Sequence, residues 1–311
     1  MSELILHHYP QSPFAEKARL MLGFKGLAWQ SVMIPAAMPK PDLTALTGGY
    51  RRTPVMQVGA DIYCDTALIA RLLEQTKSTP ALFPEGREAA ATALAQFADQ
   101  VLFQHAVAIN FQPHGLAARF AGAPEAMVKG FMADRQKLFQ GGSASRLEAP
   151  VALSQWPTLL GRLETQLQRD GEYLLGSQAC IADFAYYHPL WFVASNKAVA
   201  NMLEGYPAVA DWMARIADFG HGSHTDLDAG DAVQVAREAT PRSYTAIDFV
   251  SPAGLQVGQA VQVSAVDYGT DPVVGELVYE DAEEIVLSRE DDRAGRVQVH
   301  FPRYGFRIQA G

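Results

Sequence analysis

Arg52-Thr53-Pro54-Val55-Met56-Gln57-Val58-Gly59-Ala60-Asp61-Ile62-Tyr63-Cys64-Asp65-Thr66-Ala67-Leu68-Ile69-Ala70-Arg71-Leu72-Leu73 decides the fold of this chain. It reads as a strand entered through a proline, a glycine-containing turn, a second short strand, and a helix that starts at Asp65-Thr66. A proline at the mouth of a strand takes the cis form at modest cost, which would turn the next residue's backbone outward to pair with an extended ligand. Pro54 would thus make Val55 a binding edge. At Asp65 and Thr66, free N–H donors meet the positive end of the helix dipole, a combination that favours a carboxylate. The plainer reading of the same residues is a hairpin followed by a capped helix with nothing bound.

Upstream, Leu4-Ile5-Leu6-His7-His8-Tyr9 has the pattern of a strand, and Pro10-Gln11-Ser12-Pro13-Phe14 that of a turn feeding a helix from Ala15 to about Gly23. Ser12 falls at the N-cap and Pro13 at the first helical position, where its missing N–H costs nothing. Taken with the later stretch, this segment resembles the glutathione transferase superfamily, and the resemblance implies that Ser12 holds the glutathione sulfur. Such placement has a chemical reason. A thiol is a poor nucleophile at neutral pH until a hydroxyl donor and a helix N-terminus stabilise its thiolate. Lowering a thiol pKa from about 8.5 to about 6.5 takes roughly 2.7 kcal/mol, within reach of one charge-assisted hydrogen bond plus a dipole. The Tyr9 phenol is the rival donor, and an ordinary Ser-Pro cap would read the same.

Ser12-Pro13-Phe14-Ala15 stands where thioredoxins and glutaredoxins carry active-site cysteines, and the two cysteines, Cys64 and Cys180, are too far apart for a Cys-x-x-Cys unit. A dithiol mechanism is excluded on that ground, and Cys64 reads as a small buried hydrophobe.

The 311 residues, 49% of them hydrophobic, can supply more than one core. With 34 acidic against 25 basic side chains the formal charge is −9, which speaks against nucleic acid as a partner. No charged-then-apolar leader precedes Leu4 and no apolar run approaches a membrane span, so a cytoplasmic protein with no membrane partner is expected. Gly-x-Gly-x-x-Gly, Walker-type and His-Glu-x-x-His motifs are absent.

Composition changes at Leu82-Phe83-Pro84-Glu85-Gly86, after which Arg87 to Asn110 carries apolar residues such as Ala95, Ala98 and Leu102 at helical spacing. Within the helical region, Ser177-Gln178-Ala179-Cys180-Ile181-Ala182-Asp183 resembles the family's capping box, but Cys180 stands where a Ser or Thr normally caps. A thiol accepts weakly, so a loss of up to about 1 kcal/mol is expected there. Pro189, inside the same predicted helix, suggests a kink. From about Arg242 five segments alternate apolar and polar residues between tight turns, as in a small barrel or roll. The Gly- and Asp-rich run Gly220–Asp228 before them reads as a solvated linker and not as a metal site, and the aromatic-cationic run Phe301–Phe306 reads as core before ligand surface.

The fold class expected is multidomain α+β: a thioredoxin-like βαβ-α-ββα domain (1–84), an all-α helical domain with linker (85–240), and a small β-barrel-like accessory domain (241–311) held apart from the site. The resemblance, over roughly residues 4–215, implies glutathione as co-substrate, a small hydrophobic electrophile and a homodimer. It places Ser12 at the thiolate, Val55 against the cysteinyl backbone and Asp65 with Thr66 at the γ-glutamyl end. Arg52 or Lys40 would meet the glycyl carboxylate. Another glutathione-using enzyme, such as an isomerase or peroxidase, and a non-catalytic scaffold stay open beside a transferase.

Overall fold

The computed structural model describes residues 3–144, 146–245, 249 and 251–311. The chain opens with β1 (Leu4–His8), α1 (Pro13–Lys25), β2 (Trp29–Met33), α2 (Pro41–Thr47), β3 (Val55–Val58), β4 (Asp61–Cys64) and α3 (Thr66–Thr76). β1 runs parallel to β2 and antiparallel to β3, which in turn pairs antiparallel with β4. This is the thioredoxin-like unit that the sequence predicts. The pleat of β1 separates its side chains: Leu4 and Leu6 enter a core shared with the helices, while Ile5 enters a second core on the other face.

The helical domain comprises α4 (Glu88–Phe97), α5 (Phe103–Asn110), α6 (Pro113–Arg119), α7 (Glu125–Leu138), α8 (Ala149–Asp170), α9 (Ile181–Ala194) and α10 (Pro207–Ala217). A single π-helical turn, Ala98–Leu102, joins α4 to α5 and carries Asp99. α9 is buried along most of its length and runs through Pro189. The weak cap expected at Cys180 is made good by Asp183. Its carboxylate accepts from the N–H groups of Cys180 (2.9 Å) and Leu174 (2.9 Å) and from Trp212 Nε1 (3.0 Å). The Cys180 side chain also faces the Asp183 N–H, so both halves of the capping box are present, and the carboxylate adds the bonds to Leu174 and Trp212.

Beyond the helices come β5 (His224–Asp226), α11 (Ala229–Glu238), β6 (Ala260–Ala265), β7 (Val273–Glu280), β8 (Glu284–Asp291), β9 (Gly295–Pro302) and β10 (Phe306–Ala310). The predicted solvated linker is in fact structured: β5 pairs parallel with β2, and His224 stacks on Trp29 with ring centroids 4.6 Å apart. Strands β6–β10 fall where the alternation places them and pair antiparallel among themselves. Their pairing is not only local, and here the expectation of a separate accessory unit is corrected. β9 pairs parallel with β4, giving one ten-stranded sheet in the order β10-β6-β7-β8-β9-β4-β3-β1-β2-β5. Without β9, β4 would present a row of unpaired backbone groups.

Side chains reinforce this seam. His300 on β9 is fully buried, with Nε2 3.0 Å from Asp61 and Nδ1 2.7 Å from Glu284, and its ring stacks on Tyr63 at 4.1 Å. Burial works to lower its pKa, but the two carboxylates outweigh that and the net shift is upward. The second core crosses the seam too, joining Val32, Val55, Ile62 and Cys64 to Val261, Leu277, Ile285, Val299 and Phe301. Phe301 is therefore core, and in the aromatic-cationic run only Tyr304 is largely exposed, at 63%.

Candidate active site

Ser12 is the N-cap of α1, and its Oγ accepts from the N–H of Ala15 at 3.2 Å. That bond uses an oxygen lone pair, so the hydroxyl hydrogen is left to donate to the neighbouring Tyr9 phenol or to a ligand. Ser12 N–H itself donates to Tyr9 O at 3.2 Å, which folds the Tyr9-Pro10-Gln11 turn back over the helix start. Burial pushes the Tyr9 phenol pKa up, while Arg135, the Ser12 hydroxyl and Arg119 pull it partway back. Tyr9 is thus a neutral donor beside a neutral donor, and either can face a sulfur.

The Thr53–Pro54 peptide is cis, as the sequence suggests. Val55, however, is not an edge. It is registered against His7 of β1 on one side and Cys64 of β4 on the other. In an antiparallel ladder both main-chain groups of a residue point to one neighbouring strand, so those of Val55 face the sheet. Thr53 lies outside the ladder, and among the described residues its N–H and C=O take part in no backbone hydrogen bond between turns and loops. The open edge therefore moves from Val55 to Thr53. Lys40, at the start of α2, donates to Thr53 Oγ1 at 2.9 Å and lies 5.9 Å from the Tyr9 ring. Burial, with repulsion from Arg135 and Arg51, lowers its pKa to about 8. Lys40 has no carboxylate partner among the ion pairs of the described residues.

At α3, Asp65 adopts φ 76° and caps the helix by accepting from the N–H of Ala67 at 2.9 Å. Thr66 is buried, and its Oγ1 accepts from Lys17 Nζ at 3.3 Å, leaving the hydroxyl hydrogen free. Lys17 Nζ also meets Asp99 at 2.7 Å, and Asp99 meets His188 Nε2 at 2.8 Å. This relay links α1, the π-helical turn and α9 beneath the helix start. Sequence reasoning missed Lys17, Asp99 and Thr53; the only available signal was the nearness of Lys17 to Ser12 and of Thr53 to Pro54, and nothing marked Asp99 or the π turn that carries it.

Arg52 is not free for a ligand's glycyl carboxylate, which corrects that assignment. Its Nε and Nη2 donate to Tyr268 O at 3.2 and 2.5 Å, Nη2 pairs with Asp267, Nη1 lies 3.7 Å from Asp65, and the guanidinium sits 4.0 Å from the Tyr268 ring. The loop carrying Asp267 and Tyr268 also binds the end of α7, through Gly269 N–H to Leu138 O (2.6 Å), and the loop after it, through Ala144 N–H to Asp267 O (3.0 Å). At Gly142 a Cβ would lie 1.7 Å from Asp267 O, so only glycine permits this approach. The C-terminal strands thus reach the rim of the site they were expected to avoid.

Both thiols are inert by environment. Burial pushes Cys64 well up and Cys180 up to about 12. Among the described residues no group of three or more His, Cys, Asp or Glu is placed to hold a metal ion, and no helix is long and apolar enough to cross a membrane.

Comparison with known proteins agrees with this fold. The sequence model of the glutathione S-transferase N-terminal domain matches residues 6–81, and that of the C-terminal domain matches residues 131–219. A GST-like protein from Pseudomonas syringae is 48% identical over 100% of both chains, with a TM-score of 0.83. A glutathione S-transferase from Rhodospirillum rubrum F11 (19% identity, 69% of this chain, 87% of that one, TM-score 0.53) shares the fold. So does a glutathione transferase from Populus trichocarpa (14% identity, 69% of this chain, 93% of that one, TM-score 0.53). A search of the curated proteins gave no match.

Proposed function

This chain belongs to the glutathione S-transferase family, and from that premise we propose that it adds the glutathione thiolate to a small hydrophobic electrophile. The observation that carries the proposal is the pairing of helix starts and open groups: Ser12 caps α1, α1 is tied to the Asp65-Thr66 start of α3 through Lys17 and Thr66, and the Lys40 ammonium, without a carboxylate, is fixed on Thr53. In this reading Ser12, with Tyr9 beside it, donates to the sulfur and stabilises the thiolate. Thr53 pairs with the cysteinyl backbone, shaped by Pro54 and backed by Val55. Lys40 takes the glycyl carboxylate, and the Thr66 hydroxyl with the α3 N–H groups takes the γ-glutamyl carboxylate. Asp65 orients that helix start.

The thiol proton leaves to solvent, the thiolate sulfur forms a bond to the electrophilic carbon, and with an aryl halide the carbon–halogen bond breaks to release halide. Assembly as a homodimer is part of the proposal, with the half-exposed Phe97 and Val101 near the α4–α5 junction as its apolar surface, and so is a cytoplasmic setting with a detoxifying role. Calorimetric titration with glutathione, followed by conjugation of 1-chloro-2,4-dinitrobenzene, tests the central claim. Submillimolar binding with conjugation is expected; no binding at millimolar glutathione would overturn it.

A further inference from the structure

Cations crowd this site, and most of them are neutralised. Arg51 pairs with Asp134, Arg52 with Asp65 and Asp267, Arg135 with Asp134, and Lys17 with Asp99. Two remain without a carboxylate among the ion pairs of the described residues. Lys40 is one, and the proposed function gives it a ligand. Arg119, the last residue of α6, is the other.

Arg119 is held by neutral groups only: Nη2 donates to Asn110 Oδ1 at 3.2 Å and to Phe192 O at 3.4 Å, while its buried Nε has no partner. The guanidinium lies over the Phe192 ring at 4.2 Å. From there an aromatic wall leads back to the thiolate site. Phe192 neighbours Phe111 and Phe103 at 6.3 Å each, and Phe103 meets Phe14 at 4.7 Å, two residues beyond Ser12. Phe14, Phe103, Phe111 and Arg119 are each only half-buried, so the wall keeps an open face. Arg119 is also near enough for its charge to act on the Tyr9 phenol. A partly desolvated guanidinium with an orphaned donor gains more from an anion than a solvated surface arginine does.

We propose that the second-substrate pocket takes an aromatic electrophile bearing an anionic group, a carboxylate or sulfonate, with the ring against Phe14, Phe103 and Phe111 and the anion on Arg119. The chemistry of that pocket rests on the glutathione reading, but the binding preference does not. If Arg119 served only to pin α6 through Asn110 and Phe192, the charge of a ligand would be irrelevant.

The test uses two fluorescent aryl probes on the full chain: 8-anilinonaphthalene-1-sulfonate and its uncharged parent, N-phenyl-1-naphthylamine. The sulfonate is expected to bind about tenfold more tightly than the parent, the preference to vanish in Arg119→Gln, and to return in part in Arg119→Lys. Equal affinity for the two probes, or a preference that survives Arg119→Gln, overturns the proposal. Glutathione titration of the unsubstituted protein reports separately. Glutathione binding without probe preference removes the anion site and leaves the glutathione reading; probe preference without glutathione binding removes the glutathione reading and leaves the anion site.

Discussion

The two halves of the ten-stranded sheet contrast in how their strands are held. In the half built from β1–β4, paired residues lie within one domain's length of sequence, the widest pairing being that of Leu4 with Val58, and the candidate site groups flank those same strands. In the half built from β6–β10, hairpin pairing is equally local, yet the half is fastened to the rest through β9 and β4, where His300 meets Asp61 across 239 positions. Local pairing yields strands; distant contacts, above all the β4–β9 seam, decide whether they form a domain or an extension. Here the seam carries a buried ion cluster and a shared apolar core, so the two halves behave as one body.

The most severe way to break this contrast is to remove residues 242–311. On the sequence alone that deletion leaves a working glutathione domain. With β4 unsealed and Val32, Val55, Ile62 and Cys64 stripped of half their core, loss of cooperative folding is now expected. A cooperative thermal transition by circular dichroism in the truncated chain would restore the separable unit.

A gentler cut is His300→Leu. It leaves Asp61 and Glu284 facing each other without their shared cation, a change of about 3–5 kcal/mol for a buried pair. The folded pKa of His300 lies above its unfolded value, so its contribution is fully present below about pH 6.5 and fades as pH rises through the folded pKa. Denaturation at pH 6 and pH 9 should show the gap between the two proteins narrowing at the higher pH. A constant gap would mean that His300 acts by packing against Tyr63 and Tyr244 and not by charge.

On the other half of the sheet, Ser12→Ala should lower turnover about 10- to 1000-fold while glutathione affinity stays within a few-fold, because the hydroxyl acts on the thiolate and not on the peptide. Full activity in that variant, with loss in Tyr9→Phe, would move the role to Tyr9. The smallest effect belongs to Lys40→Met, expected to weaken S-methylglutathione about tenfold. That ligand has no thiol to titrate. Its affinity for the unsubstituted protein should fall as pH rises through about 8, where free Lys40 loses the proton that a bound carboxylate would retain. A pH-independent affinity would place the carboxylate elsewhere.

Legibility in the sequence follows the same division. The strand boundaries, the Ser12 cap, the cis bond at Pro54 and the Asp65 cap are written in residues a few positions apart, where turn and capping chemistry act. Val55 was placed two residues past Thr53, because sequence shows where a strand starts but not which of its residues already has neighbours on both sides. Arg52 was assigned to a ligand on the family resemblance, and nothing in the sequence pointed to its actual partners Asp267 and Tyr268, which lie 215 and 216 positions away. Lys17, Asp99 and His188 meet only because three helices converge, and no spacing rule reaches across them.

The parallel β4–β9 contact also has a consequence in time. On a ribosome adding about 5–20 residues per second, the partner of β4 emerges roughly ten to fifty seconds after β4 itself. Through that interval the nascent protein carries an unsealed strand next to its candidate site, and a neighbouring nascent chain can add to it. Synthesis order thereby sets a window of vulnerability that ends only when the last hairpins are out, and a trigger-factor-like holdase that shields the open strand would raise the yield of folded protein without touching any residue of the site.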